Sequence, residues 1–171
     1  MDTALQPRNA AALILLVSAA TVGGAFAFQY LGGYAPCILC WWQRYAHFAV
    51  IGFAALALLP VPAPLRAVLL LAAVASALAG TGIAVFHVGV EQHWWQGTAE
   101  CGSTLGRASS LDEMRKMLES QPVVRCDEVA WSLLGISMAG YNALISVALA
   151  VVGFAALRQD FRSRSLNPSR A

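Results

Sequence analysis

Marking every Asp, Glu, Lys and Arg along the chain leaves four long uncharged windows, from Asn9 to Gln43, Tyr45 to Leu65, Ala67 to Val90 and Val129 to Leu157. Each exceeds the roughly 20 residues that a helix needs to cross a bilayer. Within lipid a helix satisfies its own backbone hydrogen bonds, so such windows read as spans rather than strands. Gly32, Gly33 and Pro36 break the first helix before its window closes, so the spans are expected at about 10–30, 42–59, 66–87 and 138–157. Pro60, Pro62 and Pro64 make 60–65 a tight turn between antiparallel helices. The expected fold class is an all-α membrane protein, a four-helix transmembrane bundle forming one domain over 1–171. Its termini and the 60–65 turn share one side, and cysteine-bearing loops at about 31–41 and 88–137 share the other.

Composition agrees. Of 171 residues, 58% are hydrophobic and only 12% charged, whereas a soluble domain carries about 25% charged residues to cover its surface. A disordered chain would be far less apolar. The net charge of +2 argues against nucleic acid as a partner. A cleaved signal peptide is the alternative for the first span, since Ala25-Phe26-Ala27 follows an apolar run, but that run is longer than a signal core of about 7–15 residues. Small residues four apart, Ala19/Gly23, Ala20/Gly24, Ser76/Gly80 and Ala139/Ala143, would let helices approach closely.

Lys and Arg divide six against five between the two sides, a weak orientation signal. Arg158, Arg162 and Arg164 directly after the last span read as a cytoplasmic stop. All five Trp (41, 42, 94, 95 and 131) fall at or near the opposite face, as an amphipathic belt at a membrane boundary does.

All four cysteines lie on that second face. Outside the cytosol disulfides are their expected state. Cys101 and Cys126, alone in the long loop, can staple it with a closure worth about 3.5 kcal/mol, or exchange. Zinc is a further reading, with His87 and His93 near in sequence, but 24 intervening residues are unlike a metal knuckle and no metal is expected. Cys37-Ile38-Leu39-Cys40 is different: a two-residue spacing closes a small, readily reduced ring suited to thiol exchange. Cys40 falls at the start of the second span, where free N–H groups and the helix dipole favour an anion.

Arg44 sits one turn deeper and alone breaks an otherwise uncharged run from Asn9 to Leu65. An arginine there costs free energy unless it has a task or a partner, or snorkels to the interface. Electrons from thiols need an outlet, yet the chain has no nucleotide loop and no haem or flavin motif. A lipid-soluble quinone, ubiquinone or menaquinone, is the expected cofactor. Arg44 would hydrogen-bond a quinone carbonyl beside Cys40, and His87 would give a second polar contact. His47 is the weaker candidate.

Pro36-Cys37-Ile38-Leu39-Cys40 with Gln43-Arg44, and Cys126 leading through Trp131 and Leu134-Gly135 to Ile136-Ser137-Met138, resemble the disulfide-bond formation protein B (DsbB) family over nearly the whole chain. Some members carry Glu in place of Gln43, so no proton role is assigned there. The resemblance implies a multi-pass protein of the bacterial inner membrane with its cysteines periplasmic. Such a protein re-oxidises a periplasmic thioredoxin-like oxidase (DsbA-like) and reduces a quinone from the membrane pool. It implies redox-active disulfides Cys37–Cys40 and Cys101–Cys126, with Cys101 meeting the partner, Cys126 attacking Cys37, and Cys40 facing the quinone beside Arg44. Rival classes are a vitamin K epoxide reductase-like enzyme, whose active pair would lie near the end of the chain, and a scaffold with two structural disulfides. A capping box at Ser110-Leu111-Asp112-Glu113 predicts a short amphipathic helix over 110–119, with Leu111, Met114, Met117 and Leu118 on its apolar side.

Overall fold

A computed structural model of the chain describes residues 6–101, 110–112, 115 and 124–166. Four long helices dominate it: α1 (Pro7–Tyr30), α2 (Ile38–Leu58), α3 (Ala63–Glu91) and α4 (Met138–Leu166). The short helix expected over 110–119 lies for the most part outside the described residues. Packing runs α1 to α2 to α3 to α4 and back to α1, leaving α1 and α3 on the diagonal. α1, α3 and α4 are long and apolar enough to cross a membrane; α2 is the fourth helix, and Gln43, Arg44 and His47 in its first half lower its hydropathy.

Local chemistry sets the helix ends. Pro7 and Pro64 occupy first-turn positions, where a missing N–H costs nothing. Between α2 and α3, Arg66 donates from Nε to the Ala57 carbonyl (3.1 Å) and from Nη2 to Val61 (3.2 Å), capping the end of α2. α3 closes with two crossed bonds, Trp94 N–H to the Gly89 carbonyl (2.9 Å) and His93 N–H to Val90 (3.1 Å), with His93 in the left-handed region at φ 57°. α4 continues past the expected end at 157 because Asp160 and Arg164 pair along its face at 2.6 Å. The expectation of an all-α chain needs one correction: Ser132–Leu133 (β1) and Ile136–Ser137 (β2) form a small antiparallel hairpin. Leu134 and Gly135 turn it, both at positive φ (52° and 78°), as a two-residue hairpin turn requires.

The exterior is apolar, unlike that of a soluble protein, and a set of polar side chains is buried. Leu13, Leu16, Leu71, Leu78, Val85, Leu144, Val151 and Phe154 face outward, while Ser18, Gln43, Arg44, His47, His87, Glu91, Asn142 and Ser146 are buried. Ile14, Val50, Ala54, Leu70, Val74, Ala77 and Leu149 pack the half of the bundle away from the cysteines. Small residues permit this closeness at particular sites: a methyl group at Gly80 would stand 3.1 Å from the Ala46 side chain on α2. Gly23 and Gly24 meet nothing within 4 Å, so that pair of small-residue spacings is not used for packing.

Candidate functional site: a dithiol, a disulfide and a buried polar chain

α2 begins at Ile38, four residues earlier than the charge pattern suggests, because Cys37 caps it. Cys37 has an extended backbone, and its sulfur accepts from the N–H of Cys40 at 3.3 Å. The second cysteine therefore stands in the first helical turn. Here the two sulfurs are unbonded and adjacent: Cys37 Sγ donates to Cys40 Sγ at 3.0 Å. That bond, together with burial, pushes the Cys37 thiol pKa up from its ordinary value.

Cys101 and Cys126 are bonded, and both are buried. They pack with Cys37, Leu39 and Val90 into one cluster, flanked by Cys40 and Phe86, so both cysteine pairs share a single apolar nest. Thr98 Oγ1 lies 3.5 Å from Cys101 Sγ. Beside the disulfide, Arg125 forks onto Asp127 (Nε to Oδ1, 2.9 Å) and holds that exposed carboxyl below the usual carboxylate range.

Arg44 turns toward α1. Its Nη1 donates to Gln29 Oε1 (2.5 Å) and its Nη2 to the Ala25 carbonyl (3.1 Å), while the guanidinium lies 4.7 Å from the Phe26 ring centre and 4.9 Å from that of Trp41. Burial of this charge is thus compensated by carbonyl acceptors and ring faces rather than by an acid. An arginine has five N–H donors, and these two contacts leave some for a ligand oxygen. The aromatic walls and the nearby Cys40 sulfur fit a flat, carbonyl-bearing ring such as a quinone.

His87 belongs to a different side of α2. Its Nε2 is 3.6 Å from Cys37 Sγ and 3.9 Å from Glu91 Oε1, and the ring also reaches the Cys126 backbone. Its Nδ1 meets Gln43 Nε2 at 2.8 Å. Gln43 Oε1 in turn accepts from Asn142 Nδ2 (2.6 Å), Asn142 Oδ1 meets His47 Nε2 (2.7 Å), and His47 Nδ1 meets Ser18 Oγ (3.3 Å). Donor and acceptor roles propagate along this chain. Since an amide nitrogen can only donate, His87 Nδ1 accepts and Nε2 carries the proton toward Cys37; His47 likewise donates from Nε2 and accepts from Ser18. Every link points toward the dithiol. Glu91 adds a branch, accepting from Ser137 Oγ at 2.5 Å.

The structure thus brings Cys37, Cys40 and His87 together and packs Cys101 and Cys126 against them, but it sets Arg44 on the α1 side and His87 on the α3 side. Sequence reasoning missed Asn142, Ser18 and Glu91. Each is a polar residue within or at the edge of an apolar window, a pattern that in lipid marks a partner elsewhere in the bundle.

A helical protein with a membrane-type exterior and two cysteine pairs packed in one nest is of the kind expected of membrane oxidoreductases of thiols. Comparison narrows it: residues 7–156 match the family described as disulfide bond formation protein DsbB. The chain is 31% identical over 162 residues to disulfide bond formation protein B of Marinobacter nauticus, covering 89% of this chain and 92% of that protein. It is 34% identical over 142 residues to the same-named protein of Pasteurella multocida, covering 78% and 77%. An uncharacterized protein of Rickettsia prowazekii, RP370, is 27% identical over 141 residues, covering 81% of each. The chain belongs to the DsbB family, whose members are oxidoreductases of disulfide bond formation, and its apolar helices fit a multi-pass membrane protein.

Proposed function

We propose that this protein re-oxidises a periplasmic thioredoxin-like dithiol protein and passes the two electrons to a membrane quinone. In this reading all four helices cross the inner membrane of a bacterium, α2 among them, with the cysteine end periplasmic and the termini and the 59–62 turn cytoplasmic. The observation that carries it is the packing of both cysteine pairs into one nest, with His87 Nε2 3.6 Å from Cys37 Sγ.

A thiolate of the partner attacks Cys101; the Cys101–Cys126 bond breaks and Cys126 leaves as a thiolate. Cys126 attacks Cys37, forming a bond between the loops and releasing Cys40 as a thiolate at the head of α2. The partner's second thiol then displaces Cys101, leaving the partner oxidised. Cys101 attacks Cys126, restoring that disulfide and releasing Cys37. At this stage Cys37 and Cys40 hold the two electrons. Arg44, Phe26 and Trp41 would hold a membrane quinone, which would supply the outlet for two electrons and two protons as Cys37 and Cys40 close their disulfide. Arg44 would hold a carbonyl oxygen and stabilise developing negative charge. The Nε2–H of His87 faces Cys37 and stabilises its thiolate as it leaves and returns.

The test is quinone reduction by purified protein supplied with a reduced thioredoxin-like partner. A Cys40→Ser variant should accumulate the mixed disulfide with the partner yet reduce no quinone. Normal quinone reduction by that variant would overturn the assignment.

A further inference from the structure

Exchange chemistry needs two sulfurs, but the structure supplies a third donor in ligating position. Cys37 Sγ, Cys40 Sγ and His87 Nε2 all lie within 4.8 Å of one another. Metal–sulfur bonds of about 2.3 Å and metal–nitrogen bonds of about 2.0–2.1 Å in a tetrahedron place sulfur and nitrogen roughly 3.6 Å apart and two sulfurs roughly 3.8 Å apart. The Cys37–His87 separation of 3.6 Å already has that value. The sulfurs, at 3.0 Å, need to part by about 0.8 Å to reach the tetrahedral spacing, within reach of a small side-chain rotation at the half-buried Cys40.

We propose that the reduced Cys37–Cys40 pair and His87 form a binding site for a divalent cation of the zinc class, a site that oxidation of the pair abolishes. Two thiolates and one imidazole suit a borderline-soft ion, and the fourth position is left to water or to Glu91, whose Oε1 is 3.9 Å from His87 Nε2. On binding, two S–H bonds break, two metal–sulfur bonds form and two protons leave to solvent; no electrons move. A ligating Nε2 must shed its proton, which moves to Nδ1. The buried polar chain accommodates this because each member can both donate and accept. His87 Nδ1–H then donates to Gln43 Oε1, the Gln43 amide to Asn142 Oδ1, the Asn142 amide to His47 Nε2, and His47 to Ser18 Oγ, the reverse of the order without metal. Gln43 thereby becomes the outer partner that a metal-bound histidine needs.

A cation held here occupies both sulfurs required for quinone reduction, so it would arrest the reduced enzyme; that consequence rests on the function proposed above, whereas binding does not. The experiment titrates Co2+, and then Zn2+ in competition, into full-length detergent-solubilised protein carrying Cys101→Ala and Cys126→Ala and reduced at Cys37 and Cys40. One equivalent of Co2+ should give thiolate charge-transfer and tetrahedral ligand-field bands that Zn2+ abolishes, and the disulfide-closed form should give none. His87→Ala and Gln43→Leu should each weaken binding by about 10–100-fold. Bands equally strong in His87→Ala, or absent from the reduced parent, would overturn the site. A substitution-free check is protection of Cys37 and Cys40 from alkylation by Zn2+ in the reduced natural sequence, read by mass spectrometry; no protection also overturns it.

Discussion

Replacing Asn142 by Leu probes the buried polar chain at its centre. Leucine nearly matches asparagine in volume and suits a helix, so the change is chiefly loss of hydrogen bonding. Asn142 donates to Gln43 Oε1 at 2.6 Å and accepts from His47 at 2.7 Å. Interhelical hydrogen bonds in membrane proteins contribute about 0.6 kcal/mol on average and up to about 1.7, so the two losses should cost about 1–3 kcal/mol. His47→Leu removes the bond to Asn142 and the contact with Ser18 Oγ at 3.3 Å, and Ser18 can turn back to a carbonyl of its own helix. The two substitutions share one bond, so the double variant should be more stable than additivity predicts by about 0.6–1.7 kcal/mol. Unfolding in mixed micelles of dodecyl maltoside and rising sodium dodecyl sulfate, followed by tryptophan fluorescence, measures this cycle. Turnover adds a second readout: Asn142→Leu frees Gln43 to rotate and with it the His87 tautomer, so quinone reduction should slow while exchange at Cys101–Cys126 does not. A coupling energy of zero, or unchanged turnover with a stability loss of the expected size, would refute the reasoning.

Three further outcomes follow from the site. In the reduced protein the raised Cys37 pKa keeps this thiol protonated above its ordinary value of 9.0. Carboxamidomethylation at pH 8 should therefore mark Cys40 well before Cys37, and Cys40→Ser should speed Cys37 labelling by removing its main perturbation. The sign is that of a group stabilising the fold below pH 9, with the contribution lost as pH rises. Cleaving the Cys101–Cys126 bond, which spans a sequence separation of 25, should lower stability by up to about 3.5 kcal/mol, measurable by comparing Cys101→Ser/Cys126→Ser with the parent in the same micelles. Exchanging neighbours in a Gln43→Arg/Arg44→Gln variant keeps composition and hydropathy constant but places the guanidinium beside His87 and Asn142; quinone reduction should be lost, and retention of it would show that the faces of α2 do not matter.

Helix positions were legible because charges are scarce: Arg66 and Glu91 stand in the first and last turns of α3, and Arg44 and Arg158 bound apolar stretches of α2 and α4. Boundaries slipped where a side chain, not hydropathy, sets the end. Cys37 starts α2 at residue 38 by capping it, and the Asp160–Arg164 pair carries α4 beyond its apolar stretch. The hairpin at 132–137 left almost no trace, since two-residue strands have no periodicity to read. The bond between Cys101 and Cys126 was open to reading because both stand in the one long loop, whereas the packing of both cysteine pairs into one nest was not. Least legible was the chain from Ser18 to His87. It requires knowing that position 43 of α2 meets position 87 of α3 and position 142 of α4, a matter of helix register that no single window contains.

That register is where stability and chemistry meet. Lipid tails solvate a leucine as well as another helix does, so apolar contact alone cannot dictate which faces of α1 to α4 come together. Ser18 from α1, Gln43 and His47 from α2, His87 from α3 and Asn142 from α4 meet one another in this mutual arrangement. Sliding α3 by a single turn, about 5.4 Å, would carry His87 away from Gln43, Cys37 and the Cys126 backbone together. The hydrogen bonds that choose the packing therefore also fix the distance between the histidine and the two cysteine pairs. A sequence that kept every cysteine but lost Gln43 and Asn142 would retain the thiols without the hydrogen bonds that hold α2, α3 and α4 in this register.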